Sequence, residues 1–535
     1  MPTTLIRGAT VIDGTGSPAT ASDVLLADGK IAMTAERGQL RDADRVVDAD
    51  GLVLAPGFLD AHSHADNAPF LTGIDAAKLS QGVTTEVIGN CGFSPAPCPP
   101  GRRAEIERLC GRLFPDLPYD WSTVDELYGT SDARGYPTNV RPLAGHHVIR
   151  AAVLGTADRR PTADELTQMK AELSAALDAG AAGLSSGLIY PPGMYADADE
   201  LATLAGVLPP GSVYASHLRN EGGRLLDGVS EAIEVARRAG CRLQVSHLKA
   251  AGRSAWGSVK QALRLMDEAW AEGIRVHHDV YPYEANSTLL SACLPPWFHA
   301  DGHAATMERL RDPEVLRRAE HDIAADDGSW ENWVAGSGWD RVLVASAGNA
   351  DVEGRTLAEL AEQRRQHPFR VLTDLLVASE LTAWMSVFAM SATDVTDALL
   401  HPRALIGSDG APPGGGGKPH PRGFGTFTRV LARYVREFGL LSWEEAIAKM
   451  TSRTASAFGL PGRGVIVAGA AADVVLFDPT TVADRATFTA PTLISAGIEL
   501  VVVNGRIAFE SGEVTGLRAG RRLRRANLGE TPCNE

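Results

Sequence analysis

The chain has 535 residues, 44% of them hydrophobic, and a formal net charge of −15. That length exceeds one ordinary domain and suits a large barrel with an appended module. The acidic balance leaves no basic excess to neutralise phosphates, which excludes nucleic acid as a partner class.

Taken from the N-terminal end, residues 1–7 lack the charged-then-apolar pattern of an export signal. No apolar run approaches the ~20 residues needed to span a bilayer, so a soluble, cytoplasmic chain with no membrane partner is expected. Residues 5–14 read as a strand followed by a turn, and residues 24–32 as a hairpin around Asp28-Gly29. The apolar stretch 52–55 runs into Pro-Gly-Phe-Leu-Asp-Ala-His-Ser-His at 56–64. Residues 83–89 form a strand, and 163–178 an amphipathic helix stopped by Gly180. Further short strands fall at 182–185, 213–217, 243–247 and 276–280, with helices at 222–239 and 257–272. Residues 290–345 break this rhythm. They are rich in Pro, Trp, His and charge, carry a helical patch near 304–325, and read as an insertion after a barrel strand. Residues 412–418, Gly-rich, form a mobile loop. Strands return at 472–478 and 498–506, the second ending in Asn504-Gly505. The basic cluster Arg518, Arg521, Arg522, Arg524 and Arg525 reads as a solvated tail.

The alternation in the middle implies a parallel sheet under helical cover. The number of units favours a barrel, and no dinucleotide fingerprint follows the first strand. The expected fold is therefore α/β. It comprises a distorted (β/α)8 TIM-like barrel over 57–460, interrupted near 290–345, and a small β-sandwich built from both termini, 1–56 and 461–535. Neither end alone has enough strands to close a core. The six cysteines, Cys91, Cys98, Cys110, Cys241, Cys293 and Cys533, are scattered and read as reduced thiols. Cys98 and Cys110 carry no assigned role beyond packing.

Residues i and i+2 of a strand share a side, so His62 and His64 can aim two imidazoles at one point. Cys91, His217, His247 and Asp409 each end an apolar, strand-like run. Singly, each has an ordinary reading: a small buried thiol, a hydrogen-bonded core histidine, a turn-forming aspartate. Jointly they fall where a parallel barrel gathers its functional groups, at the C-terminal ends of strands. They would make a mono- or dinuclear metal site, and thiolate with imidazole favours zinc by ligand softness. Asp66 either orients a histidine ligand or caps the next helix.

Several longer stretches are also distinctive. They are the 56–66 segment, Gly-Asn-Cys-Gly-Phe-Ser-Pro-Ala-Pro at 89–97 and Gly-Leu-Ser-Ser-Gly-Leu-Ile-Tyr-Pro-Pro-Gly at 183–193. Others are His-Leu-Arg-Asn-Glu at 217–221, Ser-His-Leu-Lys at 246–249 and Asp-Val-Tyr-Pro-Tyr-Glu-Ala-Asn-Ser-Thr at 279–288. Gly-Ser-Asp-Gly at 407–410, Pro-His-Pro-Arg-Gly-Phe-Gly-Thr-Phe at 419–427 and Ala-Thr-Phe at 486–488 complete them. Together these resemble the N-acyl-D-amino-acid deacylase (D-aminoacylase) family of the metal-dependent amidohydrolase superfamily.

The resemblance implies zinc-dependent hydrolysis of an N-acyl-D-amino acid, a small-molecule amide, to a carboxylate and a free D-amino acid. It implies one zinc held tightly by Cys91, His217 and His247. A second, weaker site would comprise His62, His64, Cys91 and Asp409. Asp409 would be the general base, later returning the proton to the leaving amine. Lys249, Tyr281, Ser287 and Arg422 would bind the substrate α-carboxylate, and Tyr190 would polarise the scissile carbonyl. Residues 289–298 supply no cation for an acidic side chain, so apolar D-amino acids are expected. The alternatives are a cyclic amide, a D-terminal dipeptide or a specialised metabolite, and a non-catalytic scaffold with a structural zinc. The last has no need of a free base such as Asp409.

Overall fold

The computed structural model describes residues 3–74, 76–411 and 414–524. A parallel barrel occupies the centre. Its strands are Phe58–Asp60, Val83–Ile88, Asn139–Pro142 continued by Ala144–Gly145, Gly183–Gly187, Val213–His217, Arg242–Val245, Val276–Val280 and Ala404–Ile406. Every neighbouring pair is parallel. The third strand is broken at Leu143, its first part pairing with the second strand and its remainder with the fourth. The ring closes between the last and first strands. The Ala61 amide donates to the Ile406 carbonyl (3.1 Å) and the Asp409 amide to the His62 carbonyl (2.8 Å).

Helices cover the barrel for readable reasons. Ala163–Asp178 starts at a reciprocal capping box in which the Glu165 amide donates to the Thr162 hydroxyl and Glu165 accepts the Thr162 amide. Leu225–Ala239 buries Leu225, Val229, Ala232, Ile233 and Ala236, one face of a 3.6-residue period, and ends at left-handed Gly240. Each fully buried Leu, Val or Ile on such a face contributes about 1.5–3 kcal/mol.

Both ends of the chain share one sheet. Val53–Pro56 pairs antiparallel with Val474–Phe477, joining the N-terminal strands to Ile498–Val503, Arg506–Glu510 and Glu513–Val514. Ile6, Val24, Leu54, Val474, Leu476 and Leu500 meet in a common core. Two tight turns use paired positive φ angles, Asp28-Gly29 (50° and 74°) and Asn504-Gly505 (50° and 77°), whose twist suits hairpins.

Between the seventh and eighth barrel strands lies a three-stranded antiparallel sheet. Trp384–Val387 runs between Asn286–Leu289 and Val342–Ser346. It has its own core, including Leu290, Phe298, Leu357 and Leu372. The helical patch resolves into Gly302–Arg309 and Pro313–Ala325. The insert thus runs past residue 345 as far as Val387.

Two of the C-terminal arginines, Arg518 and Arg522, dock on the barrel rather than forming a solvated tail, whereas Arg521 and Arg524 are exposed. The Arg522 guanidinium donates to Asp132 (2.6 Å) and to the Ala179 carbonyl (2.6 Å) and lies 4.4 Å over the Tyr128 ring. Arg518 donates to the carbonyls of Ala68, Leu71 and Gly135. Carbonyl groups left over at loop and helix ends need donors, and long guanidinium arms supply them. Arg525 and Cys533 lie outside the described residues, as do Pro412 and Pro413 of the Gly-rich loop. Among the described residues no helix is long and apolar enough to cross a membrane.

Candidate active site and metal centre

The groups at the strand ends meet in one buried cluster. The Cys91 Sγ lies 3.3 Å from His62 Nε2, 3.5 Å from His247 Nε2 and 3.8 Å from His217 Nδ1. Asp409 Oδ1 lies 3.2 Å from His64 Nε2 and 3.6 Å from His62 Nε2. Three triples stand within metal-binding reach: His62–Cys91–His247, His62–His64–Asp409 and His217–Glu221–His247. The tightest set around the thiol therefore contains His62, with His217 approaching from the side of Glu221.

The backbone is bent to make this meeting possible. Cys91, His247 and Asp409 have φ of 53°, 35° and 46°. Such left-handed conformations cost about 1–3 kcal/mol each for a side-chain-bearing residue and persist only where the surroundings over-determine them. At His247 the determinant is Asp279, whose carboxylate accepts the His247 amide (2.9 Å) and whose carbonyl accepts the Leu248 amide (2.9 Å). Asp279 also takes the Gln244 side chain (2.7 Å) and lies 3.3 Å from His62 Nδ1, so one carboxylate orients two histidines. Asp60 plays the matching part at the seam, accepting the amides of His62 (3.1 Å) and Ser408 (2.8 Å). A Cβ at Gly407 would stand 2.8 Å from both Asp279 Oδ1 and His62 Cβ, so this position admits only glycine.

The charges are arranged to leave the donors ionised. Burial opposes a Cys91 thiolate, but His62, His217 and His247 hold the thiol well below its ordinary pKa. Burial likewise opposes an Asp409 carboxylate, and Arg422, His247, His62 and His64 outweigh it. The guanidinium of Arg422 stands 2.8 Å from Asp409 Oδ2. His62 is raised well above its usual value despite burial, through Cys91, Asp279 and Asp409. His217, in contrast, is drawn below its usual value, chiefly by burial. The donor set of thiolate, imidazoles and carboxylate fits zinc.

The expected substrate contacts fall around this cluster with unequal freedom. Tyr281 is buried, its hydroxyl has no hydrogen-bond partner among the described residues, and Arg422 lies 4.7 Å over its ring. Burial pushes its phenol up to about 12. Lys249 donates to both oxygens of Glu221 (2.7 Å each). The Ser287 hydroxyl donates to the Met385 carbonyl (2.8 Å), and it is the Ser287 carbonyl that accepts from Arg422 (3.2 Å). Tyr190 exchanges a 2.7 Å hydrogen bond with Thr288. Asp66 accepts the Gly89 amide (3.2 Å) rather than capping a helix.

Above the cluster is a narrow pocket walled by Phe93, Leu109, Leu113, Tyr190, Leu289 and Trp384. Through Arg112, Leu113, Ser287, Trp384 and Ala411 it shares lining with a cavity of about 450 Å³ beneath the Gly-rich loop. Sequence reasoning passed over Glu221 and Asp279, although each had a signal. Glu221 sits four residues after His217, and Asp279 is an acid inside an apolar strand. Arg112 had none.

Comparison with known proteins agrees with this geometry. The amidohydrolase family model matches residues 45–509. An N-acyl-D-glutamate deacylase of Alcaligenes xylosoxydans xylosoxydans is 38% identical over 99% of this chain and 98% of its own length. A D-aminoacylase of the same organism is 34% identical over 97% of both chains. The crystal structure of N-acyl-D-glutamate deacylase from Bordetella bronchiseptica, complexed with zinc and a phosphonate mimic of the tetrahedral intermediate, superposes with a TM-score of 0.80. It is 36% identical and covers 97% of this chain and 99% of that one. The strand-end cluster and these full-length likenesses lead to one conclusion: the chain belongs to the amidohydrolase family, within its N-acyl-D-amino-acid deacylase group.

Proposed function

We propose that this protein hydrolyses the amide bond of N-acyl-D-amino acids, releasing a carboxylate and a free D-amino acid. The observation that carries the proposal is the Asp409 carboxylate, standing between His64 and Arg422 in the cluster that also buries Cys91. Cys91, His217 and His247 would hold one zinc, and His62, His64, Cys91 and Asp409 a second, weaker one. Zinc held by these residues would supply Lewis acidity, making hydroxide available near neutral pH and polarising a carbonyl.

The protein's own groups do the rest. Asp409 Oδ1 takes a proton from the attacking water as its oxygen bonds to the acyl carbon. It returns that proton to the nitrogen as the C–N bond breaks, so a neutral amine leaves. Arg422 keeps Asp409 ionised and offers its remaining donors, with the free Tyr281 hydroxyl and Lys249, to the α-carboxylate. Ser287 fixes that side of the pocket through its carbonyl. Tyr190, whose hydroxyl bonds Thr288, would turn its phenol to the scissile carbonyl. The D preference follows the activities named for the relatives that match over the full length.

Amine release from paired N-acetyl-D- and N-acetyl-L-amino acids tests this, with zinc-loaded wild type beside Asp409→Asn. Release from D substrates alone, falling by about 10²–10⁴-fold in the variant, is expected. No release from either enantiomer at stoichiometric zinc would sink the assignment.

A further inference from the structure

We infer that Arg112 binds a second carboxylate of the substrate, one beyond the α-carboxylate, so that the preferred N-acyl amino acid is doubly anionic. The inference rests on the deacylase reading and deepens it. Arg112 follows the helix Arg103–Gly111 and lines the same pocket as His64, Cys91, His217, His247 and Asp409. It is held there from both sides. Its carbonyl accepts the Trp384 indole N–H (3.2 Å), and its guanidinium donates to His303 Nδ1 (3.1 Å).

What it lacks is an anion. No carboxylate of the described residues pairs with it, and its hydrogen-bonding neighbour His303 is held neutral by burial and by Arg112 and Arg108. Burial alone draws the guanidinium down to about 10, the mark of a desolvated cation with no counter-charge. Arg112 is half-buried, and its exposed side lines the pocket, where an anion would pair with it. The pocket that Arg112 shares with the metal cluster also has apolar lining, including Phe93, Leu109, Leu113 and Leu289. A short methylene chain fits that lining and a terminal carboxylate fits the guanidinium. The carboxylate can come from an acidic side chain of the amino acid or from a dicarboxylic acyl group. The cation was invisible in residues 289–298 because it arrives from a helix far earlier in the chain.

The test compares isosteric acid and amide pairs. N-acetyl-D-glutamate is set against N-acetyl-D-glutamine, and N-succinyl-D-leucine against N-succinamoyl-D-leucine, in zinc-loaded wild type, Arg112→Met and Arg112→Lys. The acid-over-amide ratio of kcat/KM is read within each protein, which cancels any loss of folded enzyme. Wild type should favour the acid by about 10–100-fold in at least one pair, and that pair identifies the source. The ratio should fall to near unity in Arg112→Met and be partly retained in Arg112→Lys. No acid preference in either pair, or a preference that survives Arg112→Met, overturns the inference. If no N-acyl-D-amino acid is cleaved, N-acetyl-D-leucine included, the deacylase reading fails instead. Calorimetric binding of the same four compounds to wild type and Arg112→Met then decides Arg112 separately, since binding needs no turnover.

Discussion

Glu221 touches three of the site's groups at once. It accepts from Lys249 through both oxygens and lies 3.0 Å from His247 Nδ1 and 3.7 Å from His217 Nε2. Lys249, then His217 and His247, hold its carboxyl below the usual range against burial. A histidine whose far nitrogen faces a carboxylate is a better-oriented and more basic ligand. Glu221→Gln keeps the shape and removes the charge, and should weaken zinc affinity or activity by about 10–100-fold. Chelator competition and kcat measured together check this, and both unchanged would refute it. At this scale the sequence picked out residues that the fold brings together, because His, Cys and Asp at strand ends are rare coincidences. It carried their supports poorly, because a carboxylate beneath a histidine is recognised only once the two strands are paired. Lys249 and Ser287 illustrate the same limit: residue type suggested free donors, whereas folding gives Lys249 a carboxylate and Ser287 a backbone carbonyl.

Among the elements, those with strong local signals were legible. The helix Ala163–Asp178 matched its amphipathic period, and the hairpins around Asp28-Gly29 and Asn504-Gly505 followed from turn chemistry. The insert was read too short, since a helix such as Pro368–Ala378 followed by the strand Trp384–Val387 imitates another barrel unit. Only its antiparallel pairing with Asn286–Leu289 gives it away. The helix Trp443–Met450, which packs against the last barrel strand, carries a fully buried Lys449. Burial draws its amine down to about 8, although it donates to the His401 carbonyl and faces Glu445. Between that value and its unfolded value near 10.4, the unfolded chain binds more protons than the folded one. Stability contributed by this site therefore rises with pH across about 8–10, by on the order of 3 kcal/mol. Denaturant midpoints of wild type relative to Lys449→Met should increase through that window. A flat or falling difference would contradict the burial argument.

The terminal sheet meets the barrel through a shared apolar core, in which Val53, Val475, Phe477 and Val501 join Phe58 and Val83, and through a few buried polar points. Asp473 is the chief one. It pairs with Arg463 and accepts the Asn504 amide (2.6 Å) and the side chain of Asn139 on the third barrel strand (3.1 Å). Asp473→Ala leaves Arg463 buried and unpaired and should cost about 3–5 kcal/mol. Urea unfolding measures it, with the midpoint lowered; an unchanged midpoint would mean that the terminal sheet and the barrel are held by apolar contact alone. That both ends of the chain join one sheet was legible from their matching texture and insufficient strand number. That Arg518 and Arg522 dock on the barrel was not, because most of their partners are carbonyl oxygens, which every residue has.

The joining of Val53–Pro56 to Val474–Phe477 also has a consequence in time. At about 5–20 residues per second of synthesis, the early strand waits tens of seconds before its partner leaves the ribosome. All four of its residues are buried in the finished protein, and until then they present an open, apolar edge. During that interval the nascent barrel is the stage most exposed to mispairing, and the yield of active protein depends on how fast translation brings the second edge to the first.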